Sequence, residues 1–191
     1  MPPTILIIPG LHNSGPDHWQ SHFERELENC VRVEQTEWEK PVCNDWIANL
    51  DNAVQKYGTQ VVLAAHSMGC ATVAHWAAKY QRVIAGALLV GPSDVEAPTY
   101  PFETTGFVPI PLSMLPFRTI VVASRNDRFV SFERAQYFAH CWGAELEDAG
   151  DAGHLNTDAG YGPWPRGKEL LRQLTRASAE HGPSGHAASS D

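Results

Sequence analysis

The sequence predicts a three-layer α/β domain in which a parallel sheet of six strands is covered by helices on both faces. Two patterns indicate this fold: short apolar runs alternate with helical segments from end to end, and four of those runs are almost wholly apolar. Such strands are typical of parallel sheets, because helices bury both faces. With 43% apolar and 19% charged residues, the 191-residue chain can also supply one core of ordinary size.

The first half of the chain predicts three strands separated by two helices. Residues 4–8 and 60–65 are apolar and rich in branched side chains, as in strands buried on both faces, whereas residues 31–34 alternate and fit an exposed edge strand. Apolar side chains recur at helical spacing over residues 17–29 and again over residues 44–58, where a glycine ends the second helix.

The second half continues the alternation with one interruption. Its elements are predicted as helix 68–80, strand 83–90, strand 118–124, helix 132–142, strand 144–147 and helix 167–179. The interruption, residues 92–116, holds six prolines without a clear period and is the only stretch long enough to act as a small lid. We interpret residues 1–180 as one domain and residues 181–191, which lack core-forming side chains, as a flexible tail.

Charge and cysteine content disfavour several classes of function. Fourteen Lys and Arg against 22 Asp and Glu leave a net charge of −8, which opposes binding to nucleic acid or to an anionic membrane surface. No apolar run reaches the roughly 20 residues of a membrane-spanning helix, and the first residues carry no secretory signal. The four cysteines do not form a disulfide framework, so we expect reduced thiols and a cytoplasmic protein.

The residues around Ser67 predict a nucleophile. The run Ala65-His66-Ser67-Met68-Gly69 lies where a buried strand passes into a helix, and such a turn lifts a serine hydroxyl clear of the sheet. The turn brings strand and helix together, which requires small residues two positions before and after the serine; Ala65 and Gly69 meet this requirement. The alternative is a serine that only caps the following helix.

A serine hydroxyl becomes a good nucleophile when an imidazole takes its proton and an acid orients that imidazole. Asp127 follows the fourth buried strand, and His154 follows the last strand in a loop with glycines at 150 and 153. The order serine, acid, histidine is the one expected of such a triad on this type of sheet. Asp94 also follows a strand and is the rival acid; Asp127 could instead cap the next helix, and His154 could be a surface histidine.

Two backbone N–H groups are predicted to hold the developing oxyanion. One belongs to Met68, directly after the nucleophile. The other comes from the glycine-containing loop after the first strand, where we choose Leu11, with Gly10 and His12 as alternatives in the neighbouring register. No Gly-Lys-Ser/Thr follows that loop, which argues against nucleotide binding there.

No metal and no organic cofactor are expected. His18 and His22 lie one helical turn apart and could chelate a metal, but the intervening residues lack the glutamate of a metalloprotease motif and no third ligand is evident. His66 is expected to serve as a packing or hydrogen-bonding residue, and Cys70 as a small core residue.

Further motifs extend this interpretation from about Ile5 to Lys168. They are Pro9-Gly10, Ser14, His18-Trp19-Gln20, Asp45-Trp46, His66-Ser67-Met68-Gly69, Ser124-Arg125-Asn126-Asp127, Trp142-Gly143-Ala144, Gly153-His154-Leu155-Asn156 and Gly162-Pro163-Trp164-Pro165 followed by Gly167. In these motifs the chain resembles the small α/β-hydrolase family that includes retinoblastoma-binding protein nine. One position departs from that family: the residue after the acid is often proline there and is Arg128 here.

The resemblance implies a compact α/β-hydrolase fold without the two antiparallel opening strands of larger hydrolases. It places the first strand between the second and the third, so the implied sheet order is 2-1-3-4-5-6, with the site at the carboxyl ends near the switch point. It also implies a serine-hydrolase triad of Ser67, Asp127 and His154, in agreement with the interpretation from the residues themselves.

We therefore predict hydrolysis of a small ester, thioester or amide through an acyl-enzyme on Ser67. The expected partner is a small acyl substrate, and an apolar acyl group of modest size is favoured. Candidate pocket residues are Phe107, Phe129, Tyr161 and Trp164, although aromatic side chains usually pack as core. The alternative is a binding or scaffold protein that keeps the fold without turnover and uses residues 92–116 and the acidic surface as contacts.

Overall fold

A computed structural model describes residues 3–180, which contain six strands and five α-helices; a helix follows every strand except β4, which is followed by the segment leading to β5. In chain order they are β1 (Thr4–Ile8), α1 (Trp19–Glu26), β2 (Cys30–Arg32), α2 (Cys43–Tyr57), β3 (Val61–His66), α3 (Met68–Tyr80), β4 (Gly86–Val90), β5 (Thr119–Ala123), α4 (Phe132–Trp142), β6 (Glu145–Asp148) and α5 (Pro165–Glu180). Each predicted element is present, with ends shifted by up to three residues. The predicted tail at 181–191 lies outside the described residues.

All six strands are parallel and follow the order β2-β1-β3-β4-β5-β6, which confirms the predicted α/β-hydrolase topology. The chain moves to one side of β1 to form β2 and then to the other side to form β3. Adjacent loops diverge at such a switch point and leave a crevice at the carboxyl ends of the strands. A site in this fold is therefore expected next to the loops that follow β1 and β3.

The sheet separates two hydrophobic cores, and successive residues of each strand face opposite sides. In β1, Leu6 and Ile8 face α2, α3 and α4, while Ile5 and Ile7 face α1 and α5. The largest side chains of the first core are Trp46, Trp76, Phe107, Phe138 and Trp142. The second core contains Trp19, Phe23, Leu170, Leu171 and Leu174. Each fully buried apolar side chain contributes about 2 kcal/mol, so both layers hold the sheet firmly.

The predicted strand at 83–90 begins three residues late, at Gly86. Val83 is largely exposed, and a side chain at Gly86 would approach the Arg118 carbonyl oxygen to 3.0 Å and Leu174 to 3.1 Å. The residues before Gly86 therefore connect α3 to β4 outside the strand, with Val83 exposed and Ile84 buried in the first core. Within residues 3–180, none of the helices combines the length and apolarity that crossing a bilayer requires.

The proline-rich segment 92–116 is fastened to the body of the protein. The Thr105 carbonyl accepts from the Cys43 N–H at 2.8 Å, and the Leu115 N–H donates to the Trp142 carbonyl at 3.0 Å. Between these points, Phe107 is fully buried and contacts the rings of Trp46 and His75. The segment thus closes one side of the first core.

Candidate active site

Ser67 occupies the turn between β3 and α3 with a left-handed φ of 56° and ψ of −122°. Such a conformation costs a non-glycine residue about 1 kcal/mol or more, and the surrounding packing maintains it. A Cβ on Gly69 would lie 2.9 Å from the Pro9 carbonyl oxygen, and one on Gly10 would lie 2.9 Å from Ser67 Cβ. The small residues around the serine are thus required because β1 and its loop press against this turn.

Asp127 and His154 are hydrogen-bonded to each other at the carboxyl ends of β5 and β6. His154 Nδ1 donates to Asp127 Oδ2 at 2.8 Å, and the Asp127 side chain is fully buried. The other carboxylate oxygen accepts from the Phe129 N–H at 2.9 Å. In the neutral ring, a proton on Nδ1 makes His154 Nε2 the acceptor on the opposite side.

The loops that carry these two residues are joined by a polar network that the sequence analysis did not anticipate. Ser124 Oγ donates to Asn126 Oδ1 at 2.9 Å and accepts from the Ala152 N–H at 2.9 Å. Asn126 Oδ1 also accepts from the Gly153 N–H at 2.7 Å. This network explains why Ser124 and Asn126 belong to a motif: they set the separation of the acid loop and the histidine loop.

Asp94, the rival acid, lies in a different environment. Its Oδ2 is 3.3 Å from Nε of Arg134, and its Oδ1 accepts from the Glu96 N–H at 3.3 Å. The cap of α4 is Ser131, whose hydroxyl accepts from the Arg134 N–H. Asp127 is thus free of the capping role considered for it, and it is the carboxylate that meets the histidine.

The Ser67 hydroxyl forms a hydrogen bond with Ser93 Oγ at 2.8 Å, and Ser93 is almost fully buried. Ser67 and His154 line the same cavity. Within residues 3–180 the Ser67 hydroxyl forms its side-chain hydrogen bond with Ser93 and none with His154. Hydrogen bonds between catalytic groups often form or tighten only when a substrate binds. Sequence reasoning missed Ser93, because a serine after a strand is too common to carry a signal.

The loop after β1 reaches the turn at Ser67. A Cβ on Gly10 would lie 3.3 Å from the Met68 nitrogen, so the loop and the start of α3 are in close contact. His12 donates its N–H to the Trp38 carbonyl at 3.1 Å, which removes it from the candidate oxyanion donors in this conformation. The N–H groups of Met68 and Leu11 remain the pair that the sequence predicts.

Arg32, at the end of β2, holds the loop after β1 through hydrogen bonds. Its Nη1 donates to the Ser14 carbonyl at 3.0 Å and to Asn13 Oδ1 at 2.5 Å, while Nη2 donates to Ser21 Oγ at 2.7 Å. Gln20 adds a second tie, because its amide donates to the carbonyls of both β1 and β3, at Ile8 and Ala64. The loop is therefore preorganised by Gln20, which belongs to one of the sequence motifs, and by Arg32, which does not.

The rings of His18, His66 and His154 pack in a row, with His66 in the middle. The His18 and His66 ring centroids are 4.8 Å apart, as are those of His66 and His154, and His66 Nε2 donates to the His154 carbonyl at 2.9 Å. Burial lowers the pKa of His18 to about 3, with smaller contributions from the charges of Arg32 and His154. Burial also lowers the pKa of His66 well below its ordinary value. Both rings are neutral near pH 7, so His154 has no cationic imidazole beside it.

His18 and His22, whose spacing could chelate a metal, have other partners. His18 Nδ1 accepts from the Gln20 N–H as the cap of α1, and His22 Nδ1 lies 3.2 Å from Glu26. Across the described part of the chain, residues 3–180, no group of three potential metal-ligating side chains occurs.

A cavity of about 240 Å³ opens over Ser67 and His154. Its wall includes residues 10–14 together with Ser93, Phe102, Arg128 and Phe129. Only one of the four predicted pocket aromatics, Phe129, lines it. This volume lies below the usual range for drug-sized ligands, so it suits a small group.

The structure corrects the other three pocket residues. Phe107 lies in the first core, while Trp164 packs against Trp19 and Phe23 in the second, with Tyr161 at its side. These rings are large apolar surfaces that bury more area between layers of secondary structure than they would at a cavity wall. Phe102 takes their place in the cavity lining, and the sequence analysis did not identify it.

Comparisons with known proteins agree with this fold and identify the family. A family model described as serine hydrolase matches residues 5–173. A YdeN-like hydrolase from Pectobacterium atrosepticum is 34% identical over 92% of this chain and 91% of its own, with a TM-score of 0.83. The ydeN gene product from B. subtilis is 19% identical over 90% and 98%, with a TM-score of 0.75. Esterase 2 from Thermogutta terrifontis is 15% identical over 96% and 86%, with a TM-score of 0.67.

No curated protein matches the chain. The family match covers most of its length, and the similarity to the YdeN-like hydrolase spans nearly all of both proteins. The chain belongs to the serine hydrolase family.

Proposed function

We propose that this hydrolase cleaves a small ester, thioester or amide through an acyl-enzyme formed on Ser67. The observation that carries the proposal is the 2.8 Å hydrogen bond between His154 Nδ1 and Asp127 Oδ2, made at the wall of the cavity that also holds Ser67. This bond fixes the tautomer in which Nε2 can accept a proton. A serine, an imidazole and a buried acid in these positions have the chemistry of a serine-hydrolase triad.

In the first half of the reaction, Ser67 Oγ attacks the carbonyl carbon while its proton passes to His154 Nε2. Asp127 stabilises the resulting imidazolium. The N–H groups of Met68 and Leu11 donate to the oxyanion, and removing one such donor typically costs about 3 kcal/mol of transition-state stabilisation. The tetrahedral intermediate then collapses, and the leaving group departs with the proton from His154.

In the second half, a water molecule attacks the acyl-enzyme and gives its proton to His154. Collapse releases the acid, and the proton returns to Ser67 Oγ, so the enzyme is regenerated with one water consumed. Neutral His18 and His66 favour this cycle, because a cation beside His154 would oppose formation of the imidazolium. A small-molecule partner, the absence of nucleic-acid and membrane partners, and a cytoplasmic location stay predictions.

Labelling with a fluorophosphonate probe tests the proposal. We expect the native protein to be labelled, Ser67→Ala to lose labelling, and Ser113→Ala, which changes an exposed serine outside the cavity, to be labelled like the native protein. An unlabelled native protein would favour the scaffold alternative, and labelling that persists in Ser67→Ala would move the nucleophile elsewhere. Initial rates with p-nitrophenyl esters of increasing acyl length, and with matched thioesters and amides, identify the substrate class.

A further inference from the structure

Arg128 presents an unpaired positive charge at the mouth of the cavity. It is exposed and lines the cavity that holds Ser67 as well as two adjoining clefts. Among residues 3–180, six arginines form ion pairs with carboxylates: Arg32, Arg82, Arg118, Arg125, Arg134 and Arg166. Arg128 forms none within those residues, although the chain carries a net charge of −8.

The guanidinium is held close to the reacting groups. Its Cζ lies 4.6 Å from the centroid of the Phe129 ring, and that centroid lies 4.6 Å from the centroid of the His154 ring. The charge therefore lies within about 9 Å of the imidazole centre. Phe129 is itself fixed by the hydrogen bond from its N–H to Asp127. A guanidinium stacked on an aromatic ring keeps its N–H groups directed outwards for a ligand.

The carboxylates nearby leave this charge available. Asp127 is fully buried and already accepts from His154 and Phe129. Asp158 also lines the cavity and is exposed, but it forms no ion pair with Arg128 in the described structure. A planar guanidinium matches a carboxylate with two parallel hydrogen bonds. The wall of the cavity thus contains both the proposed nucleophile, Ser67, and the Arg128 guanidinium, which can pair with a carboxylate.

We infer that Arg128 forms a carboxylate-binding subsite, so that the preferred substrate carries a carboxylate a few carbons away from the scissile carbonyl. This inference rests on the proposed hydrolase function and adds the substrate class to it. We choose a six-carbon acyl group with a terminal carboxylate as the test substrate, because Ser67 and Arg128 line the same small cavity. Arg128 is also the position at which the sequence departs from the small α/β-hydrolase family that it resembles, and this position then selects the substrate.

The test compares p-nitrophenyl hemiadipate with p-nitrophenyl hexanoate, two esters of six-carbon acyl groups that differ in the terminal carboxylate. We expect the native enzyme to favour hemiadipate in kcat/KM, and Arg128→Gln to lower that value about tenfold while hexanoate changes less than about twofold. Arg128→Lys should retain part of the preference, and Asp158→Asn should increase it. Arg172→Gln, which removes an exposed charge of α5 outside the cavity, should change neither ester.

The outcomes separate the two proposals. Equal losses on both esters in Arg128→Gln, or a native enzyme that does not favour hemiadipate, would overturn the subsite and leave the hydrolase function standing. Failure of the native protein to hydrolyse either ester, together with no fluorophosphonate labelling of Ser67, would overturn the hydrolase function and the subsite with it. If Arg172→Gln reduces the preference for hemiadipate as much as Arg128→Gln does, that preference comes from the overall charge of the protein, and the local subsite is refuted.

Discussion

Asp51 and Asp127 are both buried aspartates, but their partners differ in kind. Asp51, on α2, accepts from Arg82 Nε at 2.5 Å, from Arg82 Nη2 at 2.9 Å and from Trp76 Nε1 at 3.0 Å. Asp127, after β5, accepts from His154 and from one backbone N–H. The first lies towards the amino ends of the strands and the second at their carboxyl ends, where the cavity opens.

The difference shows how a partner decides what a buried carboxylate can do. Arg82 is permanently charged and holds the pKa of Asp51 below its ordinary value, so this pair stays ionised and joins α2 to the end of α3. His154 can gain and lose a proton, so the pair it forms with Asp127 can change charge during a reaction. One aspartate is therefore suited to stability and the other to chemistry.

The largest effect is expected from Asp127→Asn. The amide cannot stabilise an imidazolium and favours the wrong tautomer of His154, so we expect kcat to fall by about 10⁴-fold while the protein remains folded. Ester hydrolysis and urea unfolding measure the two properties. Asp94→Asn is the matched control and should retain most of the activity, because Asp94 contacts Arg134 instead of the imidazole. The reverse ranking of these two variants would overturn the choice of acid.

Asp51→Asn should show the opposite behaviour. Loss of the charged partner of Arg82 is expected to lower the free energy of unfolding by about 2 kcal/mol near pH 7, since Arg82 is partly exposed and remains hydrated. Activity per folded molecule should stay the same. Because the folded-state pKa of Asp51 is lowered, the difference from the native protein should shrink as the pH falls below about 3.9. A large loss of kcat without loss of stability would remove the contrast between the two aspartates.

The histidines at the carboxyl ends of the strands extend this comparison. His18 and His66 are neutral near pH 7, whereas the Asp51–Arg82 pair towards the amino ends stays ionised. Burial lowers the pKa of His18 to about 3, against about 6.5 in an unfolded chain. Between these values the unfolded state binds a proton that the folded state does not, so stability falls as the pH decreases through 6.5. Because of His18, the free energy of unfolding is expected to fall by up to about 1.4 kcal/mol for each unit by which the pH decreases in this range.

His18→Asn tests this contribution. Asparagine keeps a side-chain oxygen to accept from the Gln20 N–H as a helix cap, but it binds no proton. Urea unfolding at pH 8 gives the cost of the substitution itself, and measurements down to pH 5 give the slope. We expect the free energy of unfolding to fall less steeply with decreasing pH in His18→Asn than in the native protein. Parallel curves of unfolding free energy against pH for the two proteins would show that His18 is not the group that resists protonation.

The sequence predicted some parts of this molecule well, and the reasons are physical. The alternation of apolar runs and helical segments predicts a parallel sheet, and the resemblance to the small α/β-hydrolase family implied its strand order. Strand ends of a parallel sheet meet at one edge, where Asp127 and His154 are in fact hydrogen-bonded. Their catalytic roles stay a proposal. The pocket aromatics were assigned poorly, because a large ring such as Phe107 carries no local sign of which layer it enters. Partners such as Ser93 depend on side-chain directions that spacing does not encode.

Ser93→Ala is expected to have the smallest effect, and it tests the resting position of the nucleophile. The Ser93 hydroxyl forms a hydrogen bond of 2.8 Å with the Ser67 hydroxyl, and a bond of this type contributes about 1 kcal/mol. In the proposed mechanism the Ser67 hydroxyl must leave this partner for His154. Removal of the Ser93 hydroxyl should shift Ser67 towards the imidazole and increase the rate of fluorophosphonate labelling about fivefold. Ser93→Thr keeps a hydroxyl and serves as the matched control. Slower labelling of Ser93→Ala would mean that Ser93 assists the nucleophile, so that the carboxyl end of the sheet uses four side chains in its chemistry instead of three.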